Sequence, residues 1–329
     1  MLKRAIVSLL ALTLAAAAQS GPDTRQLTEA RSVAAPTNPQ AAPVPLDDLY
    51  YTRSIGGATW SPDGNQIAFS TNITGRTNVW KVNAAGGWPI QLSQSDDREL
   101  SASWSPDGKW IVYQSDRGGA ETYDLFLIPA AGGEAVNLTG TPQLSESDPI
   151  WSRDGKQLLV TLKPKTSPMF DAGVFDLGTR QARNLTHETA QDQAWTPRVF
   201  SPDGKFAYAI RRNAAFTDSS IYRIDLGSGA KEELTPHQGL NRFDVTDVSP
   251  DGKTLLITAD KPGGFPNVAL LDVASKNIIW VTDTKWEAAS GNFSPDGKRF
   301  TYELNADGRI DAYLADTATR AGQKLNLRL

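Results

Sequence analysis

Few residues in this sequence of 329 amino acids are suited to catalysis. It has no cysteine, which excludes a thiol nucleophile, a disulfide and a thiolate metal site. Its two histidines, His187 and His237, each follow a Leu-Thr pair closely, so they fall in corresponding loops where either could act as a base. The sequence lacks the Gly-x-Ser-x-Gly turn that presents many serine nucleophiles, and Gly227-Ser228-Gly229 has the composition of a hairpin turn. We therefore predict solvated loop histidines, no catalytic residue, no metal site and no cofactor.

The aspartates of a repeated turn are the second set of residues that could do chemistry. An aromatic-Ser-Pro-Asp-Gly pattern is complete in four copies and varied in two, and its serines lie 44, 47, 49, 48 and 45 residues apart. In such a turn Ser can bond the backbone, Pro presets φ and Gly accepts a positive φ. One carboxylate per repeat at one turn indicates a scaffold rather than a metal or acid-base site. The six serines are Ser61, Ser105, Ser152, Ser201, Ser249 and Ser294.

The segments around each turn have the patterns of β-strands. Runs with period-two alternation follow the turns, as at residues 66–70 and 157–161. A second strand, a Gly-rich hairpin and a short strand ending in Leu-Ser or Leu-Thr come next, and another short strand precedes the following turn. A period in the forties with four strands per repeat predicts an all-β fold, a six-bladed β-propeller of four-stranded antiparallel blades. The predicted blades span about 57–93, 101–139, 147–186, 197–235, 245–282 and 290–327.

The N-terminal region has the pattern of an export signal. Two basic residues precede an apolar run at 5–18 that ends in small residues before Gln19, which predicts a cleaved signal peptide at 1–18. The run is shorter than the roughly 20 residues that a membrane-spanning helix needs, so we expect no membrane embedding. Residues 19–45 are rich in Ala and Pro and predict a disordered leader before a propeller at 46–329. The expected location is the periplasm or the cell exterior.

Three strings carry a family resemblance. Residues 104–109 (Trp-Ser-Pro-Asp-Gly-Lys), 115–119 (Ser-Asp-Arg-Gly-Gly) and 137–139 (Asn-Leu-Thr) resemble the TolB-type propeller repeat, and the resemblance covers residues 57–327. It implies a periplasmic propeller that binds partner proteins. The approach segment at 45–50 resembles instead the start of the N-terminal propeller of prolyl oligopeptidase family serine peptidases. That resemblance implies a propeller that filters peptide substrates for a hydrolase domain, which we expect to be absent from this chain.

The loops between blades hold the candidate binding residues. They gather on one rim and combine aromatic with charged residues, a mixture typical of protein and peptide binding sites. The alternative is that the aromatics pack between blades and the charges are solvated. The candidates are Arg98, Asp148, Trp195, Arg242, Phe243 and Trp286.

Two hypotheses about function follow. The first is an exported, non-catalytic module that binds a protein or peptide, and the second is the substrate-gating propeller of a truncated serine peptidase. Nucleic acid is not an expected partner, because 33 basic against 37 acidic residues create no positive field.

Overall fold

The computed structural model of the protein describes residues 45–261 and 264–326. The predicted signal peptide at 1–18 lies outside these residues, as does all of the predicted leader except Pro45. Within the two ranges that are described, no helix is long and apolar enough to cross a membrane.

The chain divides into two units, residues 1–52 and 53–329. In the described part of the first unit, α1 (Leu46–Tyr50) is a helix of five residues. Just after it, the hydroxyl of Thr52 donates to the carbonyl oxygen of Asp48. The second unit contains all the strands of the described residues.

The second unit consists of six sheets of four strands, and in each sheet the strands pair antiparallel in sequence order. The first strands of successive sheets contact one another, so the sheets are the blades of a propeller. This confirms the predicted fold class. Blade 1 consists of β1 (Ile55–Trp60), β2 (Gln66–Thr71), β3 (Asn78–Asn83) and β4 (Ile90–Gln91), and blade 2 of β5 (Glu99–Trp104), β6 (Trp110–Asp116), β7 (Tyr123–Pro129) and β8 (Val136–Asn137). Blade 3 consists of β9 (Leu144–Trp151), β10 (Gln157–Pro164), β11 (Asp171–Asp176) and β12 (Gln181–Asn184), and blade 4 of β13 (Gln193–Phe200), β14 (Phe206–Asn213), β15 (Ser219–Asp225) and β16 (Lys231–Glu233). Blade 5 consists of β17 (Phe243–Val248), β18 (Thr254–Asp260), β19 (Pro266–Asp272) and β20 (Ile278–Trp280), and blade 6 of β21 (Glu287–Phe293), β22 (Arg299–Ala306), β23 (Arg309–Asp316) and β24 (Gly322–Lys324).

The Ser-Pro-Asp-Gly turn joins the first two strands of every blade through the same hydrogen bonds. In blade 4, the Ser201 hydroxyl donates to Asp203 Oδ1 at 2.6 Å and accepts the N–H of Phe206 at 2.9 Å. Asp203 Oδ1 also accepts the N–H of Lys205, and Gly204 has a φ of 68°. The serine hydroxyl lowers the pKa of the aspartate here and in the five equivalent turns. These aspartates are structural, and the described residues contain no cluster suited to a metal ion.

The Leu-Ser or Leu-Thr pair at the end of a blade has a structural role as well. In blade 4 the Thr235 hydroxyl accepts the N–H of Ile221, a fully buried residue of β15, at 2.8 Å. The equivalent hydroxyl makes the same bond in blades 1, 2, 3 and 5. It satisfies a buried backbone donor where the short fourth strand has ended.

Apolar clusters pack the five seams between consecutive blades. The aromatic residue before the turn packs against the preceding blade in blades 2, 3 and 4. Trp104 is 7% exposed, and its indole N–H donates to the carbonyl oxygen of Thr59. Trp60 of blade 1, the first blade in sequence, is instead 61% exposed, although Phe69 and Trp80 of the same blade are buried.

Candidate binding cavity

A cavity of about 530 Å³ lies among blades 3, 4 and 5. It is at the end of the blades opposite the Ser-Pro-Asp-Gly turns, because second strands end there and third strands begin there. We call it the central cavity. Its lining residues are Asp148, Thr161 and Phe170 of blade 3; Thr196, Arg198, Ile210, Arg212, Phe216, Asp218 and Ser219 of blade 4; and Arg242, Phe243, Asp244, Thr258, Ala259, Asp260 and Pro266 of blade 5.

Two arginines of the central cavity are held by aspartates. Arg198 of β13 donates from Nε and a terminal nitrogen to the two carboxylate oxygens of Asp244 in β17, both at 2.8 Å. Arg242 binds Asp260 in the same two-point manner at 2.7 and 2.9 Å. Burial raises the pKa of Asp244, against the opposing effect of Arg198. Both pairs fix planar guanidinium groups at the wall of the cavity.

His237 anchors a third carboxylate of the cavity. Its Nε2 lies 2.9 Å from Asp218 Oδ1, and its Nδ1 lies 2.8 Å from the carbonyl oxygen of Thr235. Both partners are acceptors, so the full set of bonds requires a proton on each ring nitrogen. Burial opposes this charge, but the bonds to Asp218 and to the Thr235 carbonyl outweigh it and raise the pKa of His237. His237 is thus a paired residue, contrary to the prediction of a solvated loop histidine, whereas His187 is exposed.

Arg212 has a different environment from the other two arginines. It is half-buried near the end of β14, and the centre of its guanidinium lies 3.9 Å from the centroid of the Phe216 ring. Within the described ranges, no ion pair or side-chain hydrogen bond involves its guanidinium. Burial lowers the pKa of Arg212, and the nearby charge of Arg198 lowers it further. The guanidinium of Arg212 is therefore positively charged and partly shielded from water, and its N–H donors have no acceptor among the described residues.

The structure brings together three of the six residues predicted to bind. Asp148, Arg242 and Phe243 line the central cavity. Phe243 is only 6% exposed and also belongs to the apolar cluster between blades 4 and 5. Asp148 is exposed at a φ of 54°, and its backbone N–H binds the side chain of Gln114.

The other three predicted residues lie outside the lining of the cavity. Trp195 is 4% exposed, and its indole N–H donates to Glu188 at 2.8 Å inside the seam between blades 3 and 4. Arg98 donates to the hydroxyl of Tyr123, and Trp286 is half-buried beside Lys285. Whether any of the six residues binds a ligand stays a prediction.

Sequence reasoning missed several of the cavity residues. Arg198, Arg212, Asp218 and Asp260 were not among the candidates, although all four line the cavity. Arg212 and Asp260 lie near the ends of the second strands of their blades, and Asp218 directly precedes a third strand. The charge of these residues and their positions at strand ends could have identified them, because these strand ends lie on the same face of the propeller as the inter-blade loops.

Comparisons with known proteins agree with this architecture. Residues 51–204 match the model of the TolB beta propeller domain family, which confirms the predicted resemblance to TolB-type repeats. TolB from Acinetobacter baumannii superposes with a TM-score of 0.54 at 24% identity, covering 83% of this chain and 63% of that one. A prolyl endopeptidase structure superposes with a TM-score of 0.64 at 15% identity, covering 83% of this chain and 42% of that one. At these identities the structural likeness concerns the fold alone.

Two curated relatives are named as peptidases. The uncharacterized peptidase YuxL of Bacillus subtilis is 27% identical over 227 residues, which is 66% of this chain and 31% of the relative. Dipeptidyl aminopeptidase BIII of Pseudoxanthomonas mexicana is 23% identical over 302 residues, which is 87% of this chain and 43% of the relative. This chain thus spans less than half the length of either. The molecule is a six-bladed β-propeller, and residues 51–204 of it match the TolB beta propeller domain family.

Proposed function

We propose that this propeller binds a peptide, or an extended segment of a protein, in the central cavity. The observation that carries the proposal is the cavity itself, in which paired charges stand beside the apolar side chains of Phe170, Ile210 and Phe243. A volume of about 530 Å³ is in the range typical of small-ligand sites. The names of the two peptidase relatives support a peptide as the ligand class.

The proposed role is non-catalytic for the residues described. His237 and Asp218 form the pair that could activate a nucleophile, but the hydroxyl of the adjacent Ser219 donates to the carbonyl oxygen of Phe243 at 2.8 Å. Both nitrogens of the His237 ring are occupied by other acceptors. We expect no hydrolysis of peptide p-nitroanilides by the purified chain, and turnover that is lost in Ser219→Ala would contradict this part of the proposal.

A substitution that fills the cavity tests the binding site. The probe is a library of random hexapeptides, with the affinities of selected members measured by surface plasmon resonance on the immobilised protein. Thr196→Trp places an indole in the cavity and should weaken binding at least tenfold. Ala318→Trp is the matched control, because Ala318 is exposed in the last hairpin turn of blade 6 outside the cavity. Equal affinities for both variants and the unaltered protein would remove the cavity as the site.

Export belongs to the same proposal. Cleavage of the predicted signal peptide after Ala18 would deliver the propeller to the periplasm or the cell exterior, where peptides and protein tails are available. N-terminal sequencing of the protein from a periplasmic fraction should give Gln19 as the first residue. Recovery of the uncleaved chain from the cytoplasm would contradict export.

A second candidate is the substrate-gating propeller of a prolyl oligopeptidase family serine peptidase. The observation that favours it is the pair of peptidase relatives, which align with 66% and 87% of this chain. The coding sequence downstream of Leu329 distinguishes the two candidates. A Gly-x-Ser-x-Gly motif there, in frame or after a frameshift, would support the gating role, and an unrelated gene would support the binding module.

A further inference from the structure

The charges of the central cavity are paired except for two. Arg198 binds Asp244, Arg242 binds Asp260, and Asp218 binds His237. Among the described ion pairs none includes Arg212 or Asp148, the two remaining charged lining residues. Arg211, the neighbour of Arg212, is bound on the other face of the strand by Glu188. Of these two neighbours, only Arg212, which lines the cavity, lacks a carboxylate partner among the described residues.

The loop after β14 holds Arg212 in place without neutralising it. Asn213 Oδ1 accepts the backbone N–H groups of Thr217 at 3.0 Å and Asp218 at 3.2 Å, which closes the loop. Phe216 lies in this loop with a φ of 58°, a conformation that costs free energy for an aromatic residue. Its ring, 62% exposed, stacks on the Arg212 guanidinium and orients it, while the N–H donors at the edge of the group stay available.

From this arrangement we infer that Arg212 is the receptor for a carboxylate of the bound peptide, a step that rests on the proposed function. A planar guanidinium with free donors matches a carboxylate in a two-point pair, as Arg198 and Arg242 already do within the protein. The lining holds three arginines and four aspartates. A group with a single negative charge therefore fits this cavity better than a dianionic phosphate. The carboxylate comes either from the C-terminus of the peptide or from an Asp or Glu side chain.

Three forms of one peptide set test the inference and identify the source of the carboxylate. The probes are N-acetylated hexapeptides of neutral residues with a free C-terminal acid, the same peptides with a C-terminal amide, and the amides with one internal Glu. Binding to the immobilised full chain is measured by surface plasmon resonance. We expect at least one carboxylate form to bind tenfold to a hundredfold more tightly than the plain amide, as is typical of a charged hydrogen bond. Preference for the free acid alone assigns a C-terminal carboxylate, and equal preference for the Glu amide assigns any carboxylate.

Substitution of Arg212 is the second arm. Arg212→Gln should abolish the preference for the carboxylate forms, and Arg212→Lys should retain part of it, because lysine keeps the charge but loses the planar pair of donors. The control Arg309→Gln removes an arginine that is 75% exposed on blade 6, and it should leave the preference unchanged. Circular dichroism melts establish that each variant is folded.

The outcomes distinguish a failure of this inference alone from a failure of the proposed function. If the plain amide binds as tightly as the carboxylate forms, or if Arg212→Gln keeps the preference, the inference is wrong. In that case a loss of binding in Thr196→Trp would still support the cavity as a peptide site. Failure of every peptide form to bind would contradict the proposed function and the inference together.

Discussion

The buried carboxylate of Glu188 offers the sharpest test of how this fold is stabilised. Its side chain is 6% exposed and accepts hydrogen bonds from the Trp195 indole at 2.8 Å and from two nitrogens of Arg211 at 2.8 and 3.2 Å. It also accepts the backbone N–H groups of Thr189 and Ala190. These donors, Arg211 first, lower the pKa of Glu188 from 4.5 to about 2 although burial opposes them.

The lowered pKa determines the sign and the size of the contribution that Glu188 makes to the free energy of unfolding. The ionised carboxylate stabilises the folded state above pH 4.5, and this stabilisation is lost as the pH falls toward 2. One unit of pKa corresponds to about 1.4 kcal/mol, so the contribution to the free energy of unfolding is about 3 kcal/mol at pH 7 and about 1.4 kcal/mol at pH 3. Glu188→Gln should therefore lower the melting temperature at pH 7 by about 6–12 °C.

Urea unfolding followed by tryptophan fluorescence at pH 7 and pH 3 measures both values. The matched control is Glu303→Gln, an exposed glutamate on blade 6, which should change the free energy of unfolding by less than about 0.5 kcal/mol. A destabilisation by Glu188→Gln that is equally large at both pH values would refute the reasoning, because the effect would then not arise from the charge.

Two further predictions concern stability. His237 has a raised pKa, so its bond to Asp218 stabilises the fold fully below pH 6.5 and loses this effect as the pH rises through the folded-state pKa. His237→Gln should destabilise the protein more at pH 5.5 than at pH 9 in urea titrations, and an equal cost at both would contradict the protonated pair. Gly173→Ala should lower stability by about 1–3 kcal/mol, because its Cβ would lie 2.4 Å from Leu162 Cδ1. Gly56→Ala, with no atom within 4 Å of its Cβ, is the control in calorimetry, and an equal loss in both would show that crowding is not the cause.

The fold could be predicted because its signals are local and repeated. The turn from Ser201 to Gly204 makes its own hydrogen bonds, so its sequence specifies its structure without help from distant residues. Successive side chains of β14 and of the equivalent strands point to opposite faces of the blade, so each of these strands packs into the seams on both sides. Six copies of the same pattern remove the ambiguity that a single strand would have.

The candidate site could be predicted only in part because its contacts are distant in sequence. Arg198 and Asp244 lie 46 residues apart and meet only through the register of two blades. Tryptophan is a residue type that often anchors a ligand at a protein surface, but the pleat of β13 directs the side chain of Trp195 into the interior toward Glu188. Arg212 carries no distinguishing local motif, and its lack of a carboxylate partner is visible only once the surrounding ion pairs are known.

The repeated turn also has a consequence for the evolution of blade number. Its hydrogen bonds join residues no more than five positions apart, as between Ser201 and Phe206, so a duplicated blade carries a complete turn with it. Duplication or loss of one repeat then leaves no buried polar group of the turn without a partner, and only the apolar faces at the adjoining seams must be matched. Gain or loss of whole blades is thus a small step for genes that encode this repeat, and it provides a direct route to propellers of different diameter.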